Sequence, residues 1–148
     1  MNLSSSIPEQ SVVVRAIGSG YAQEIAAGQH SINADEPRSA GGSQTGPTPY
    51  QLLLAALGAC TAMTVTMYAR RKHLPLDGVV VRLRHSKIHA EDCFECQTEA
   101  GLLDRLDCEI ELSGPLSPDE RLSLLEIAEK CPVRRTLTSE IDIQSCLK

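Results

Sequence analysis

The chain has 148 residues, the length of one typical domain. A composition of 42% hydrophobic and 22% charged residues excludes a disordered or fibrous protein. A net charge of −5 argues against a basic surface that would bind nucleic acid or an anionic membrane. An aromatic content of 3% argues against the aromatic platforms on which nucleobases stack. We therefore expect a single domain over 1–148, with no nucleic-acid or membrane partner.

The first ten residues are polar and show no charged start followed by an apolar run, so we expect a flexible tail over 1–10 and no export signal. Six cysteines are then expected in the reducing cytoplasm, where they are more often buried, catalytic or metal-binding than paired in structural disulfides.

After the tail, the sequence predicts a strand over 11–17 and a hairpin with strands over 21–26 and 30–34. Residues 35–48 are rich in glycine, proline and serine, which is typical of a loop. Asp35 opens this loop in a turn, where we expect its carboxylate to be solvated.

A long uncharged segment runs from 39 to 69, and its part over 52–69 is almost wholly apolar or small. Pro49 suits the first turn of a helix, and the three basic residues at 70–72 suit its negative end. An apolar run of 18 residues is short of the roughly 20 that a membrane span needs. We therefore predict a helix buried on all sides within a globular domain rather than a membrane span.

Two strands are predicted next, over 79–89 and 105–113, with residues 90–104 at the tip of a hairpin. Each strand alternates apolar and charged residues. Antiparallel pairing would place Arg82 and Arg84 of the first strand against the carboxylates of the second, on the solvated face.

Residues 118–130 predict an amphipathic helix whose apolar face contains Leu122, Leu125 and Ala128. A short helix and a final strand over 141–143 complete the chain. This succession of elements indicates an α+β fold, with helices on one side of a mostly antiparallel sheet.

Two cysteines have informative surroundings. Cys60 lies within the long apolar helix, where a free cysteine is commonly a small core residue. Cys131 precedes Pro132 and so occupies an N-cap position, beside free backbone N–H groups that lower the pKa of a thiol. The alternative for Cys131 is a residue that only ends one helix and starts another.

Residues 46–60 read GPTPYQLLLAALGAC, and residues 131–133 read CPV. Together these segments resemble the OsmC/Ohr family of thiol peroxidases. The resemblance implies a curved, mostly antiparallel sheet around a long central helix, in an intertwined homodimer with two active sites at its interface. It also implies that Cys60 attacks the peroxide to form a sulfenic acid, which Cys131 resolves as a disulfide. Such chemistry uses an external dithiol reductant and requires no metal or organic cofactor.

The sequence departs from the family pattern near the first thiol. The resemblance implies a glutamate where this chain has Tyr50, paired with an arginine of the N-terminal hairpin that stabilises the thiolate. Residues 17–25 contain no arginine. The candidates to replace that arginine are Arg15, Arg38 and Arg134.

A second group of residues lies near the hairpin tip: His85, His89, Cys93 and Cys96. Two imidazoles and two thiolates are a ligand set of tetrahedral zinc, so this group is a candidate zinc site. Cys93 and Cys96 are alternatively a redox pair. A third interpretation is a loop with two idle cysteines and two hydrogen-bonded histidines. Cys108 is expected to share the face of the two histidines, in the core.

We therefore expect a cytoplasmic, OsmC-like homodimer that reduces organic or hydrogen peroxides. The apolar residues around Cys60, namely Leu57, Ala59 and Met63, favour a hydrophobic hydroperoxide. The alternative is a metal-binding or redox-sensing protein of the same fold that uses the hairpin tip. A thiol protein whose small substrate is not a peroxide is the third possibility.

Overall fold

The computed structural model describes residues 11–148, so the predicted tail over 1–10 lies outside the described residues. The elements are β1 (Val12–Ala16), β2 (Gln23–Ala27), β3 (His30–Ala34), α1 (Pro49–Lys72), β4 (Gly78–His89), β5 (Leu102–Ser113), α2 (Pro118–Ala128) and α3 (Pro132–Leu137). Their order confirms the predicted α+β class. The chain forms two compact units, Met1–Leu53 and Leu54–Lys148.

The N-terminal unit contains an antiparallel meander in the order β1-β2-β3. Ile25 lies at its centre, where it pairs with Val14 on one side and Ile32 on the other and is buried. Gly28 permits the tight turn between β2 and β3 because its φ of 60° lies in the left-handed region. The three predicted strands are confirmed, although β2 begins at Gln23 rather than at residue 21.

The loop after β3 is organised around a buried carboxylate. Asp35 is 2% exposed. It accepts hydrogen bonds of 2.8–3.1 Å from the backbone N–H groups of Glu36, Ser43 and Thr45 and from the Thr45 hydroxyl. The N–H of Thr45 does most to lower the pKa of Asp35, against the opposing effect of burial. The prediction of a solvated carboxylate is therefore wrong, because the inward-pointing amides of this loop need an acceptor and Asp35 supplies it.

Helix α1 begins at a reciprocal cap. The backbone N–H of Thr48 donates to the Gln51 side chain at 2.9 Å, and the N–H of Gln51 donates to the Thr48 hydroxyl at 3.2 Å. Pro49 occupies the first turn, as predicted. The helix ends at Lys72, and the next residue, His73, has a φ of 55°.

Only one stripe of α1 is buried. Its members recur at helical spacing: Leu57, Gly58, Thr61, Val65 and Ala69. Met63 and Met67, on the other side, are 64% and 71% exposed. The prediction of a helix buried on all sides is therefore wrong for the single chain, because residues of β4, β5 and α2 cover one side only. By length and composition alone α1 would also suffice to cross a membrane, and 22% of its most apolar window is buried.

Strands β4 and β5 form an antiparallel hairpin with the predicted solvated face. Arg82 and Arg84 lie opposite Glu109 and Asp107. The Arg82 guanidinium lies 2.7 Å from the carboxylate of Glu111 and 3.7 Å from that of Glu109. The predicted pairing of arginines with carboxylates is confirmed, and β5 begins at Leu102, three residues before the predicted start.

The other face of the hairpin lies against α1. Leu83 pairs with Cys108 across the two strands. A Cβ added at Gly58 would lie 2.7 Å from Cδ1 of Leu83, so the glycine allows helix and strand to approach closely. Cys108 therefore shares the helix-facing side of the hairpin, as predicted.

Helix α2, capped by Ser117, buries Ala128 as predicted but not the two predicted leucines. Leu124 is 0% exposed and packs in the core, which also contains Ala128. Leu122 and Leu125, assigned to the apolar face, are 61% and 47% exposed. The prediction is therefore confirmed for Ala128 and wrong for Leu122 and Leu125, because the leucines of α2 point to two sides of the helix and the rest of the chain covers one.

The C-terminal segment forms no strand within the described part of the chain. Ile141 and Ile143, in the predicted strand over 141–143, are 50% and 82% exposed. That prediction is wrong for the single chain because neither sheet of the described residues extends to this segment.

Candidate active site

Cys60 and Cys131 lie next to each other, although 71 residues separate them in sequence. The Cys60 thiol forms a hydrogen bond with the Cys131 sulfur. Cys60 lies in the middle of α1 and is partly exposed. Cys131 caps α3 and is 0% exposed. The fold thus brings the two predicted thiols together, one open to solvent and the other buried.

Three donors surround the Cys131 sulfur. The Thr61 hydroxyl lies 3.5 Å from it, and the backbone N–H of Arg134 donates to it at 3.4 Å. The third donor is the Cys60 thiol. Burial alone raises the pKa of Cys131, but these hydrogen bonds and the charge of Arg134 outweigh it, so that the pKa lies below its usual value. The N-cap position predicted for Cys131 is confirmed, and so is the direction of its pKa shift.

Arg134 and Cys108 complete the surroundings of the pair. The Arg134 guanidinium lies 3.9 Å from the Glu129 carboxylate, and its positive charge acts on both Cys131 and Cys108. Burial raises the pKa of Cys108, and the nearby Cys131 raises it further. The positive charge of Arg134 acts in the opposite direction. Cys108 is therefore a third thiol in the neighbourhood, held in its protonated form.

An open cavity of about 640 Å³ is lined by residues adjacent to the pair, although neither Cys60 nor Cys131 is among its lining residues. Its wall includes Pro132, which follows Cys131, and Thr64, whose hydroxyl donates to the Cys60 carbonyl at 2.7 Å. Apolar atoms, among them those of Met67, make up most of the lining surface. Three cationic residues also line it: Arg70, Arg71 and Lys130. The cavity thus combines apolar walls with positive charge.

Arg38 and Tyr50, which are also predicted to support the thiol pair, belong to the N-terminal unit. Arg38 opens a short 3₁₀ helix, Arg38–Ala40, and Tyr50 is the second residue of α1, 52% exposed. Arg15 pairs with Glu24 at 3.8 Å within the meander. Of the arginines considered as substitutes, Arg134 is the one whose charge acts on Cys131. The roles of Arg38 and Tyr50 stay predictions.

The four predicted zinc ligands are not gathered into a metal site. Cys93 and Cys96 are joined by a disulfide, which leaves neither sulfur as a thiolate ligand. His85 is hydrogen-bonded to Asp104 at 2.7 Å, and His89 is exposed at the end of β4. Over residues 11–148 no group of three or more metal-ligating side chains occurs. The zinc hypothesis is unsupported, and the disulfide agrees with the alternative of a redox pair.

Sequence analysis missed Thr61, the residue after Cys60. Its hydroxyl also lies 2.8 Å from the carbonyl of Leu57, which is common for threonine inside a helix. The only local signal is its position beside a cysteine, because its second partner comes from another part of the chain.

A model of the OsmC-like protein family matches residues 41–145. The chain belongs to the OsmC-like family. No curated protein matches its sequence significantly.

Solved structures of OsmC-like proteins share this fold at low sequence identity. An OsmC-like protein from Mycoplasma pneumoniae has a TM-score of 0.66 and 19% identity, with 86% of this chain and 85% of that chain covered. An organic hydroperoxide resistance protein OsmC from Legionella pneumophila has a TM-score of 0.62 and 21% identity, covering 92% and 95%. The organic hydroperoxide resistance protein OhrB of Bacillus subtilis has a TM-score of 0.58 and 22% identity, covering 89% and 92%. These similarities confirm the expected OsmC/Ohr fold.

Proposed function

We propose that this OsmC-like protein is a thiol-dependent hydroperoxide reductase in which Cys60 attacks the peroxide and Cys131 resolves the product. The observation that carries the proposal is the contact between a partly exposed thiol and a fully buried one. Of this pair, Cys60 is the one open to a substrate. A neighbouring thiol then converts a sulfenic acid into a disulfide. Structural relatives described as organic hydroperoxide resistance proteins support the proposal.

Before the first step, the two cysteines together hold one proton and one negative charge. The donors around Cys131 place the negative charge of the resting pair there. Cys131 is therefore the base that takes the proton of Cys60, and the reacting form is the one in which the charge has moved to Cys60. The Cys60 thiolate attacks the terminal oxygen of the hydroperoxide. The O–O bond breaks to give a sulfenic acid on Cys60 and an alkoxide, which takes the proton from Cys131.

In the second step Cys131, again a thiolate, attacks the sulfur of the Cys60 sulfenic acid. A disulfide forms, and hydroxide leaves and takes a proton from solvent. The pair has then given two electrons to the peroxide, which has become one alcohol and one water. An external dithiol returns these electrons by thiol–disulfide exchange, and the sequence requires no metal or organic cofactor.

Arg134 is the proposed substitute for the arginine that the family resemblance implies. Its backbone N–H and its positive charge both favour the Cys131 thiolate. It therefore acts on the buried thiol, whereas the family pattern places the cation at the attacking one. Arg38 and Tyr50 stay proposed supporting residues because of their positions in the sequence: Arg38 lies in the loop before α1, and Tyr50 stands where the resemblance implies a glutamate.

The proposed substrate is an organic hydroperoxide with a hydrophobic body. Apolar atoms make up most of the surface of the cavity near the pair, among them those of Met67 and Ile127. Its cationic residues would pair with a carboxylate carried by such a substrate. Hydrogen peroxide makes neither contact, so we expect it to be the poorer substrate.

We also propose that the protein acts as a homodimer in the cytoplasm. The uncovered side of α1 presents Met63 and Met67, and a single chain seldom leaves such apolar residues together in water. The family resemblance implies a partner subunit at this helix. Sedimentation at twice the chain mass of 16.0 kDa would support the dimer, and a monomer at micromolar concentration would contradict it.

Reduced protein mixed with one equivalent of cumene hydroperoxide tests the enzymatic proposal. Peptide mass spectrometry of all six thiols should show a Cys60–Cys131 disulfide within seconds to minutes. Cys60→Ser should abolish it, and Cys131→Ser should stop the reaction at a sulfenic acid that dimedone traps. Cys146→Ser is the matched control, because Cys146 is an exposed free thiol elsewhere in the chain.

Two outcomes would contradict the proposal. Thiols that stay reduced would mean that the pair does not reduce this hydroperoxide. Oxidation that starts at the exposed Cys146 and reaches Cys60 no faster would mean that the pair has no special reactivity.

A further inference from the structure

The loop between β4 and β5 carries a disulfide that the proposed peroxidase chemistry does not use. Cys93 and Cys96 are bonded to each other across two intervening residues. The backbone N–H of Cys96 donates to the Cys93 carbonyl at 3.4 Å, and the N–H of Ala90 donates to the Gly101 carbonyl at 2.8 Å. The second hydrogen bond closes the base of the loop. The disulfide therefore lies in a tight turn at the outer end of the hairpin.

This disulfide is accessible from solution. Cys96 is exposed, Cys93 is partly exposed, and Phe94 between them is 100% exposed. Because Cys96 is the more exposed of the two residues, we place the attack of an incoming thiolate at its sulfur. Attack at Cys96 makes Cys93 the leaving thiolate.

The loop is strongly negative. Residues 90–101 contain no lysine or arginine and four exposed carboxylates: Glu91, Asp92, Glu95 and Glu99. Lys87, in the adjoining end of β4, lies 2.8 Å from the Asp104 carboxylate. That carboxylate offsets part of the positive charge of Lys87. A negative loop repels a thiolate that carries a second negative charge more strongly than one that carries no other charge, and repels least a thiolate that also carries a positive charge.

The loop is also remote from the Cys60–Cys131 pair. Cys108, which is close to Cys131, lies six residues along β5 from Leu102 at the hairpin tip. At about 3.4 Å per residue, roughly 20 Å of strand lies between them. Direct exchange between the two sulfur pairs of one chain is therefore out of reach.

We propose that Cys93–Cys96 is a second thiol–disulfide exchange site, which takes electrons from neutral or cationic thiols. A thiolate attacks the Cys96 sulfur, the disulfide bond breaks, and the Cys93 thiolate leaves and takes a proton. A second thiol then attacks the mixed disulfide and releases Cys96. In total two thiols give two electrons and two protons to the pair and become one disulfide. The proposal does not depend on peroxidase activity at Cys60.

The test uses full-length protein purified without reductant, with its free thiols alkylated. Three small thiols of different charge reduce it in separate reactions: cysteamine, 2-mercaptoethanol and 3-mercaptopropionate. The newly exposed thiols of the peptide that contains Cys93 and Cys96 are followed by mass spectrometry. Each rate is divided by the rate at which the same thiol reduces a small neutral disulfide, which removes differences in intrinsic reactivity.

We expect the normalised rate for cysteamine to exceed that for 3-mercaptopropionate by about tenfold at low salt. The difference should disappear near 1 M salt, where the Debye length is about 3 Å. The double variant Asp92→Asn/Glu95→Gln should reduce the difference. Glu140→Gln, which removes an exposed carboxylate outside the loop, should leave it unchanged.

Three results would overturn the proposal. Cys93 and Cys96 found alkylated in protein purified without reductant would show that no disulfide forms. A disulfide reduced only in urea would show a structural bond without exchange. Equal normalised rates for the three thiols would show that the loop charge does not select the reductant. The readout is confined to this peptide, so failure here is distinct from failure of the Cys60–Cys131 reaction.

Discussion

The hydroxyl of Thr61 lies 3.5 Å from the sulfur of Cys131, 70 residues further along the chain. The same hydroxyl lies 2.8 Å from the carbonyl of Leu57, so its one proton is shared between a backbone acceptor and the sulfur. Negative charge on the sulfur strengthens the second interaction. Ionisation of Cys131 is thus coupled to the residue that directly follows Cys60 in α1.

We predict that Thr61→Val raises the pKa of Cys131, because the substitution removes a donor to the buried thiolate. Thiolate absorbance near 240 nm, followed during a pH titration, should show the rise. Disulfide formation at pH 7 should slow by two- to fivefold, the effect of a hydrogen bond worth about 0.5–1 kcal/mol. Thr64→Val is the matched control for the titration, since the Thr64 hydroxyl donates to the Cys60 carbonyl and not to a sulfur. Identical titrations of the two variants would contradict the prediction.

Arg134→Gln should slow formation of the Cys60–Cys131 disulfide at neutral pH. The substitution keeps the backbone N–H that donates to Cys131 and removes only the positive charge. Because the side chain is partly exposed, we expect a two- to fivefold effect, consistent with about 0.2–1 kcal/mol for such charge pairs. Arg135→Gln removes a charge from the adjacent, exposed position and should change the rate little. An equal effect of both variants would mean that net charge, rather than position, controls the rate.

Features set by neighbouring residues could be predicted from the sequence. The Cys131-Pro132 dipeptide indicated an N-cap, and Cys131 caps α3. The alternation in β4 and β5 indicated which residues face each other, and Arg82 lies opposite Glu109. The first signal depends on residues within one helical turn, and the second depends on residues of one pair of strands.

Features that depend on distant parts of the chain could not be predicted in this way. The backbone amides that donate hydrogen bonds to the buried Asp35 carboxylate include those of Ser43 and Thr45, eight and ten residues later. The leucines of α2 are equally hydrophobic, so composition could not show that Leu124 is the one covered. Likewise the sequence paired no residue with Thr61, because its partner depends on how α3 meets α1.

Leu124→Ala should destabilise the protein strongly. Leu124 is 0% exposed and packs in the core beside Val65 and Ala69, so its truncation leaves a cavity. We expect a loss of about 2–5 kcal/mol in the free energy of unfolding. Leu122→Ala removes the same atoms from a residue that is 61% exposed and should cost less than about 1 kcal/mol. Urea unfolding measures both changes, and the reverse order would mean that α2 buries Leu122 rather than Leu124.

Asp35→Asn should weaken the loop after β3 at neutral pH and have little effect in acid. The N–H groups of Ser43 and Thr45 donate to one oxygen of Asp35, and that of Glu36 donates to the other. An amide has a single oxygen, so it loses one of these two sets of hydrogen bonds and accepts the other without a negative charge, which weakens it. Because folding lowers the pKa of Asp35, the stabilisation is complete above the unfolded-state pKa of about 3.9 and is lost as the pH falls through the folded-state pKa. Amide hydrogen exchange at Ser43 and Thr45 should therefore be faster in the variant at pH 6, with the difference narrowing towards pH 3.

Asp142→Asn, at an exposed carboxylate hydrogen-bonded to Gln144, is the control and should leave these amides unchanged. Equal protection of both amides in Asp35→Asn and the unmodified protein at pH 6 would show that the carboxylate does not hold the loop.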